Sequence, residues 1–379
     1  MRIEQTQWTA GRGWATPPGS LGAAANLVLV FSSTRLLKDG ALLKEVRGAW
    51  PKARIAGCSA SGEICGTRVE DETMVCTALQ MGETRIEGSQ VVVGAGIDSL
   101  EAGARLARAL PKDELTHVFV LSDGKSINGS ELVKGLSQNL PPGTTVTGGL
   151  AGDGERFGDT YVVWDGKAGK DTVAAVGFYG KALRVGCASM GGWDPFGPER
   201  LITKSRRNVL FEMDGRSALA LYKQYLGDHA SGLPATGLLF PLSLRFQEGG
   251  RGLVRTILAI DEKAQSLTFA GDVPEGAWAR LMKANLDRLI DGASEAARAS
   301  GVGGPGEHPP ELAILISCVG RRMVLRQRVE EEVEGVRDAV GKAAVLTGFY
   351  SYGEIAPFAP AGRCELHNQT MTITTLAER

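Results

Sequence analysis

Apolar residues in this chain gather into short runs, and three of these runs open the same succession of elements. LVLVF at Leu27–Phe31, HVFVL at His117–Leu121 and LAILI at Leu312–Ile316 each read as a buried strand that ends near a small polar residue. A stretch of helical spacing follows each, then a second short strand that runs into a glycine cluster. The clusters are GCSASG from Gly57, GGLAG from Gly148 and GFYSYG from Gly348. Turns rich in glycine leave backbone N–H groups unobstructed, so converging copies would line a pocket mostly with main chain.

The intervening pattern predicts further elements. A helix is expected over Leu37–Trp50, and a hairpin from Asp71–Leu79 and Arg85–Val93 around Gly82. Asp98 with Glu101, and Asn128 with Glu131, have the spacing of a capping box for helices that end before Pro111 and Pro141. Tyr161–Trp164, Val173–Phe178 and Leu183–Ala188 read as successive antiparallel strands, because their connections are too short for crossover helices. A helix from Asp214 to Leu226 closes at Gly227, and a second domain is expected to begin near Ser231. In it, Phe240–Phe246, Leu253–Asp261 and Ser266–Phe269 read as strands. Asp272-Val273-Pro274-Glu275 reads as the opening of a helix that reaches Ala299. Gly301–Pro310 reads as a flexible loop, Val329, Val333, Val336 and Val340 as a helix stripe, and Cys364–Leu376 as one terminal strand. The expected fold class is α/β with two interlocked domains, residues 1–230 and 231–379. Mixed sheets flanked by helices and an internal duplication complete the expectation.

The duplication rests on the outer clusters. Gly57-Cys58-Ser59-Ala60-Ser61-Gly62-Glu63-Ile64 and Gly348-Phe349-Tyr350-Ser351-Tyr352-Gly353-Glu354-Ile355 share glycine, four residues, glycine, glutamate and isoleucine. The middle cluster, Gly148, Gly149 and Gly152 with Asp153, keeps the position and lacks the glutamate. A bend at a strand end explains any one cluster. Convergence of several would make a ligand crevice beyond the strand ends. There Glu63 and Glu354 would meet a ligand amine or hydrogen-bond their own turns, and Ser59, Ser61, Ser351, Tyr350 and Tyr352 would offer hydroxyls. Trp193, in the Gly191–Gly197 turn, reads either as part of a cavity rim or as turn packing.

Composition narrows the classes. The chain has 379 residues, and its 42 basic and 43 acidic side chains leave a net charge of −1 without a basic stripe, which argues against nucleic acid as a partner. Arg206-Arg207 and Arg321-Arg322 read as solvated edges. No apolar run approaches the length of a bilayer crossing, so the expectation is a cytoplasmic protein without membrane insertion. Six dispersed cysteines form no disulfide scaffold and no C-x-x-C. Neither G-x-x-x-x-G-K-[ST] nor G-x-G-x-x-G stands where a nucleotide would need it.

Catalytic chemistry has few places to reside. Cys58 activated by His367, or Glu354, would serve a thiol- or carboxylate-dependent enzyme; a packed thiol is the plain alternative. Haem needs only one axial ligand and an apolar enclosure, for which His117, His229 and His367 are the candidates. His367 and Asn368 stand in a dense polar run, Cys364-Glu365-Leu366-His367-Asn368-Gln369.

LVLVFSS, the Gly57–Ile64 cluster, VTGGLAGD and NVLFEMDGRSALALYKQYLG in the first part, with GFYSYGEIAP and CELHNQTMTITTL in the second, resemble the FIST family. Its name denotes F-box and intracellular signal transduction proteins, and the resemblance covers nearly the whole chain. It implies a sensory module that binds a small ligand and signals to a separate protein such as a histidine kinase or a cyclic-di-GMP enzyme. Amino acids are the ligands it implies for the family, while some free-standing members are similar to haem-dependent nitric oxide sensors. In the amino-acid version, backbone N–H groups and Arg321 would hold the carboxylate. A non-catalytic scaffold is the third alternative.

Overall fold

A computed structural model describes residues 1–94, 96–246, 252–301, 309–357, 362 and 364–379. Each of the three apolar runs forms a strand paired in parallel with the strand that precedes its glycine cluster. Leu27–Ser32 pairs with Arg54–Ser59, Leu115–Ser122 with Thr145–Leu150, and Leu312–Cys318 with Val345–Ser351. Helices connect the members of each pair: Thr34–Asp39 and Ala41–Ala49 in the first, Gly129–Asn139 in the second, Val319–Leu325 and Val329–Val340 in the third. An antiparallel strand flanks each first strand, namely Met74–Gln80, Thr172–Tyr179 and Met371–Glu378. Beyond these lie Arg2–Thr9, Arg85–Val92 and Leu183–Met190. Three separate sheets therefore share one strand order.

The strand that completes each sheet comes from a different unit. Glu63–Cys65, just past the first glycine cluster, pairs with Val345–Ser351 in the third sheet. Val162–Trp164, past the second cluster, pairs with Arg54–Ser59 in the first sheet. Gly353–Pro357, past the third, pairs with Thr145–Leu150 in the second.

Alternation along the strands explains how the sheets pack. Leu27, Leu29 and Phe31 point into a central cluster with Phe119, Leu121, Leu312, Ile314, Ile316 and Phe349, while Val28 and Val30 face the helices outside. Val118 and Val120, and likewise Ala313 and Leu315, face their own helices. Phe31 stacks on Phe349 with ring centroids 4.8 Å apart, tying the first unit to the third. Hydroxyl pairs also cross between sheets, Thr77 to Thr347 at 2.9 Å and Thr147 to Thr374 at 2.8 Å. Each such bond contributes about 1 kcal/mol. A buried Leu, Ile or Phe contributes about 1.5–3 kcal/mol, so apolar packing dominates the centre.

A fourth sheet, built from the Asp194–Arg206, Val209–Met213, Leu242–Arg245 and Trp278–Lys283 strands with shorter ones, packs its own core on the Ala218–Leu226 helix.

Several expectations change in the fold. Met74–Gln80 and Arg85–Val92 make no hairpin, because they enter different sheets. Val162–Trp164, Thr172–Tyr179 and Leu183–Met190 do not pair with one another and lie in three sheets. The span from Asp272 to Ala299 is divided: Trp278–Lys283 is a strand and the helix begins at Leu286, capped by Asn285. Alternating burial of Ala279 and Leu281 against the fourth sheet overrides the proline signal. The terminal strand breaks into Cys364–His367 and Met371–Glu378, again in different sheets. Residues 302–308 of the expected flexible loop lie outside the described residues. Both N-caps are present: Asp98 accepts from Glu101 N, and Asn128 from Ser130 N and Glu131 N, while Asn128 N donates to Ser99 Oγ.

Candidate ligand-binding site

The three glycine clusters meet. Gly57, Gly148 and Gly348 hold one register position, opposite Val30, Val120 and Leu315. A Cβ at any of them would stand about 2 Å from that partner's carbonyl oxygen, so close strand contact requires glycine there. Four residues on, the backbone closes a cycle. Ser61 N donates to Tyr350 O at 2.8 Å, Gly152 N to Ser59 O at 2.9 Å, and Tyr352 N to Leu150 O at 3.1 Å. Main-chain donors expected to face a ligand thus bond the loops to each other. Side chains finish the junction: Ser61 Oγ accepts from Gly154 N, Ser59 Oγ from Tyr161 N, and Tyr352 Oη donates to Gly154 O. Gly149 lies against Ile316 and Phe349, and Gly353 pairs with Leu150. Cys58 is buried in the central cluster, where burial pushes its thiol well above the ordinary range.

The two glutamates occupy matching sites. Glu63 Oε2 accepts from Thr73 N at 3.1 Å and Thr73 Oγ1 at 2.9 Å. Glu354 Oε2 accepts from Thr370 N at 3.2 Å and Thr370 Oγ1 at 2.9 Å, and its Oε1 from Ser351. Burial raises each carboxyl to about 8, against the opposing pull of these bonds. Both acids are therefore mainly protonated at neutral pH.

Their surroundings differ. Glu63 borders a cleft of about 920 Å³ at the ends of the first parallel pair, with Ser33, Ala60, Asp71 and Glu72. The Gly154–Arg156 turn, Ala235–Leu239 and the Val319–Val324 helix side supply its other walls. Glu354 is not part of that cleft's lining. Beside it, Gln369 Nε2 reaches Leu238 O, and Asn368 is buried with its carboxamide unpartnered among the described residues. Trp193 is also buried there and donates to Gln369 O at 2.8 Å.

Arg321 and Arg322 are not a solvated edge. Arg321 is fully buried and pairs with buried Glu332 at 2.7 Å; it also donates to Leu289 O and Gly191 O. Tyr350 Oη and Ser317 Oγ complete Glu332, at 2.6 and 3.0 Å. Arg321 is thus committed to a structural network. Its neighbour Arg322 turns into the cleft, where it grips Asp71 with two bonds of 2.7 Å and donates to Ser61 O at 2.6 Å. Sequence reasoning missed Arg322, Asp71, Arg156 and Arg326 as cleft residues. The doubled arginine was visible, but a one-residue helical step that sends one side chain inward and the other to the cleft was not.

The three candidate histidines stand away from the cleft lining. His117 bonds Thr145 Oγ1 at 2.8 Å and Thr147 Oγ1 at 3.1 Å, and burial lowers it to about 3. His367 bonds Ala356 O at 3.1 Å and is lowered to about 4 by burial. His229 is exposed and its ring lies 5.3 Å from that of Phe240. Among the described residues no histidine or cysteine lines the cleft, so His117, His229 and His367 do not fit an axial haem ligand there. No group of three metal-ligating side chains occurs among the described residues.

The fold is a mixed α/β one, with a cleft that opens at the ends of parallel strands. The chain belongs to the FIST family: the FIST N domain matches residues 26–216 and the FIST C domain residues 218–357. The family is associated with small-molecule sensing and signal transduction. An uncharacterized protein of Mycobacterium tuberculosis is 27% identical over 94% of this chain and 92% of its own length. An uncharacterized protein of Methanocaldococcus jannaschii is 22% identical over 84% of this chain and 64% of its own. Similarity to the crystal structure of cyanuric acid hydrolase from A. caulinodans amounts to 12% identity and a TM-score of 0.19, over 78% of this chain and 99% of that one. No helix of the described residues is long and apolar enough to cross a membrane.

Proposed function

We propose that this protein is a cytoplasmic sensor of a small zwitterionic metabolite, with an amino acid as the ligand class, and that it signals to a separate protein. The observation that carries this reading is the cleft that both Arg322 and Glu63 line. A ligand carboxylate would replace Asp71 on the Arg322 fork, since both present the same planar pair of oxygens. A ligand amine would face Glu72 and the Glu63 carboxyl. Apolar Val319, Met323 and Leu238 suit a short side chain.

Arg322 shares its helix with Arg321, which reaches Glu332 on one outer helix and Leu289 on another. Movement of Arg322 toward a ligand would therefore shift a rigid polar network, provided the ligand binds the two states unequally. The receiving partner is of the histidine kinase or cyclic-di-GMP enzyme class that the resemblance implies. A division near residue 230 and a common origin of the three repeated units belong to the same reading; the shared strand order supports the common origin. Native mass spectrometry with an absorption spectrum of one purified sample tests the ligand class. A colourless bound solute of amino-acid mass is expected, and a stoichiometric Soret band overturns it.

A further inference from the structure

A second cavity, of about 490 Å³, lies at the opposite ends of the same strands, where Asn26 and Arg54 enter the first parallel pair. We propose that it is a binding site for a phosphate-bearing anion, distinct from the metabolite cleft. Arg47, Lys52, Arg54 and Arg85 line it, and Asp165 is the one acid among the described lining residues. Four cations against one carboxylate leave an excess of three positive charges, in a chain whose total is −1. Such a concentration of like charge is unfavourable unless counter-charge enters.

The three arginines are held in place. Arg47 Nη1 donates to Ala53 O at 2.8 Å and its Nη2 meets Asp165 at 3.4 Å. Arg54 also pairs with Asp165, and its guanidinium lies 5.1 Å from the Trp164 ring centroid. Arg85 lies 4.3 Å from the Tyr179 ring centroid, with Glu87 at 3.4 Å outside the lining. Lys52 is exposed and makes no ion pair within the described residues. Asp165 bridges two arginines, and the aromatic rings fix two guanidinium planes. Little side-chain ordering then remains when a multivalent anion binds.

A free phosphate compound and a phosphorylated lipid headgroup share this chemistry. Titration calorimetry of the full chain with inorganic pyrophosphate at low ionic strength tests the site. One saturable site is expected, weakened by added salt and at least about tenfold weaker in Lys52→Gln/Arg85→Gln, as two charge-assisted contacts are lost. Both substituted side chains reach solvent, so the variant keeps its fold. Arg322→Gln is expected to bind pyrophosphate unchanged, which separates this site from the cleft. Sedimentation with phosphatidylcholine vesicles containing phosphatidic acid, competed by pyrophosphate, assigns the anion to a lipid; binding of pyrophosphate without sedimentation assigns it to a soluble compound. Absence of a saturable pyrophosphate site, or equal affinity in the double variant, overturns the proposal.

Discussion

Glu63 and Glu354 are held alike, each carboxyl group clasped by the backbone N–H and hydroxyl of one threonine, yet only Glu63 borders the cleft. One local design thus serves an open site in the first unit and a sealed one in the third. The difference comes from the neighbouring chain: Leu238 reaches Gln369 beside Glu354, whereas Asp71 and Arg322 stand beside Glu63.

These carboxyls set the alkaline side of stability. Each is raised to about 8 when folded, so the folded state binds more protons than the unfolded state between about pH 4.5 and 8. Stability contributed by the protonated acids is full below that window and is lost as pH rises through it, on the order of a few kcal/mol per group. His117 and His367, lowered to about 3 and 4, act oppositely: their contribution is full above pH 6.5 and is lost as pH falls. Urea unfolding at several pH values should give a maximum between about pH 4.5 and 6.5. Glu354→Gln should flatten the alkaline decline, and an unchanged decline would contradict the assignment.

Glycine at the crossing positions is a steric requirement. Gly148→Ala or Gly348→Ala would drive a Cβ into the carbonyl of Val120 or Leu315 and should cost about 3 kcal/mol or more in denaturant unfolding. Gly48→Ala, in the Ala41–Ala49 helix with nothing within 4 Å, should instead gain up to about 1 kcal/mol. Equal effects at both kinds of position would contradict the close-contact account.

Breaking the buried ion pair should be costly. Arg321→Met leaves Glu332 without its cation and should cost about 3–5 kcal/mol. Tyr350→Phe removes one bond to the same carboxylate and should cost about 1–3 kcal/mol. A double-mutant cycle between Arg321→Met and Tyr350→Phe should be non-additive, because both act on Glu332. Simple additivity would mean that the network is not shared.

Local features were legible in the sequence where their cause is local. The Asp98 and Asn128 caps, the Val329–Val340 stripe and the three strand-to-glycine repeats follow from spacing alone. Pairing was not legible. Val162–Trp164 and Gly353–Pro357 cross to sheets of other units, and nothing in a short strand names its distant partner. The site suffered the same loss. Glu63 was found through its glycine cluster, but Asp71 and Arg322 meet only because the chain brings their elements together, and Arg322 holds the cleft position expected of Arg321, which is committed to Glu332.

The most direct test of the sensor account is calorimetric titration of single amino acids into the wild type, Arg322→Gln and Asp71→Asn. The account predicts one saturating amino acid, bound at least about tenfold more weakly by Arg322→Gln and more tightly by Asp71→Asn, which removes the competing carboxylate. Binding of the same strength in all three proteins, or no saturating amino acid for the wild type, would contradict it.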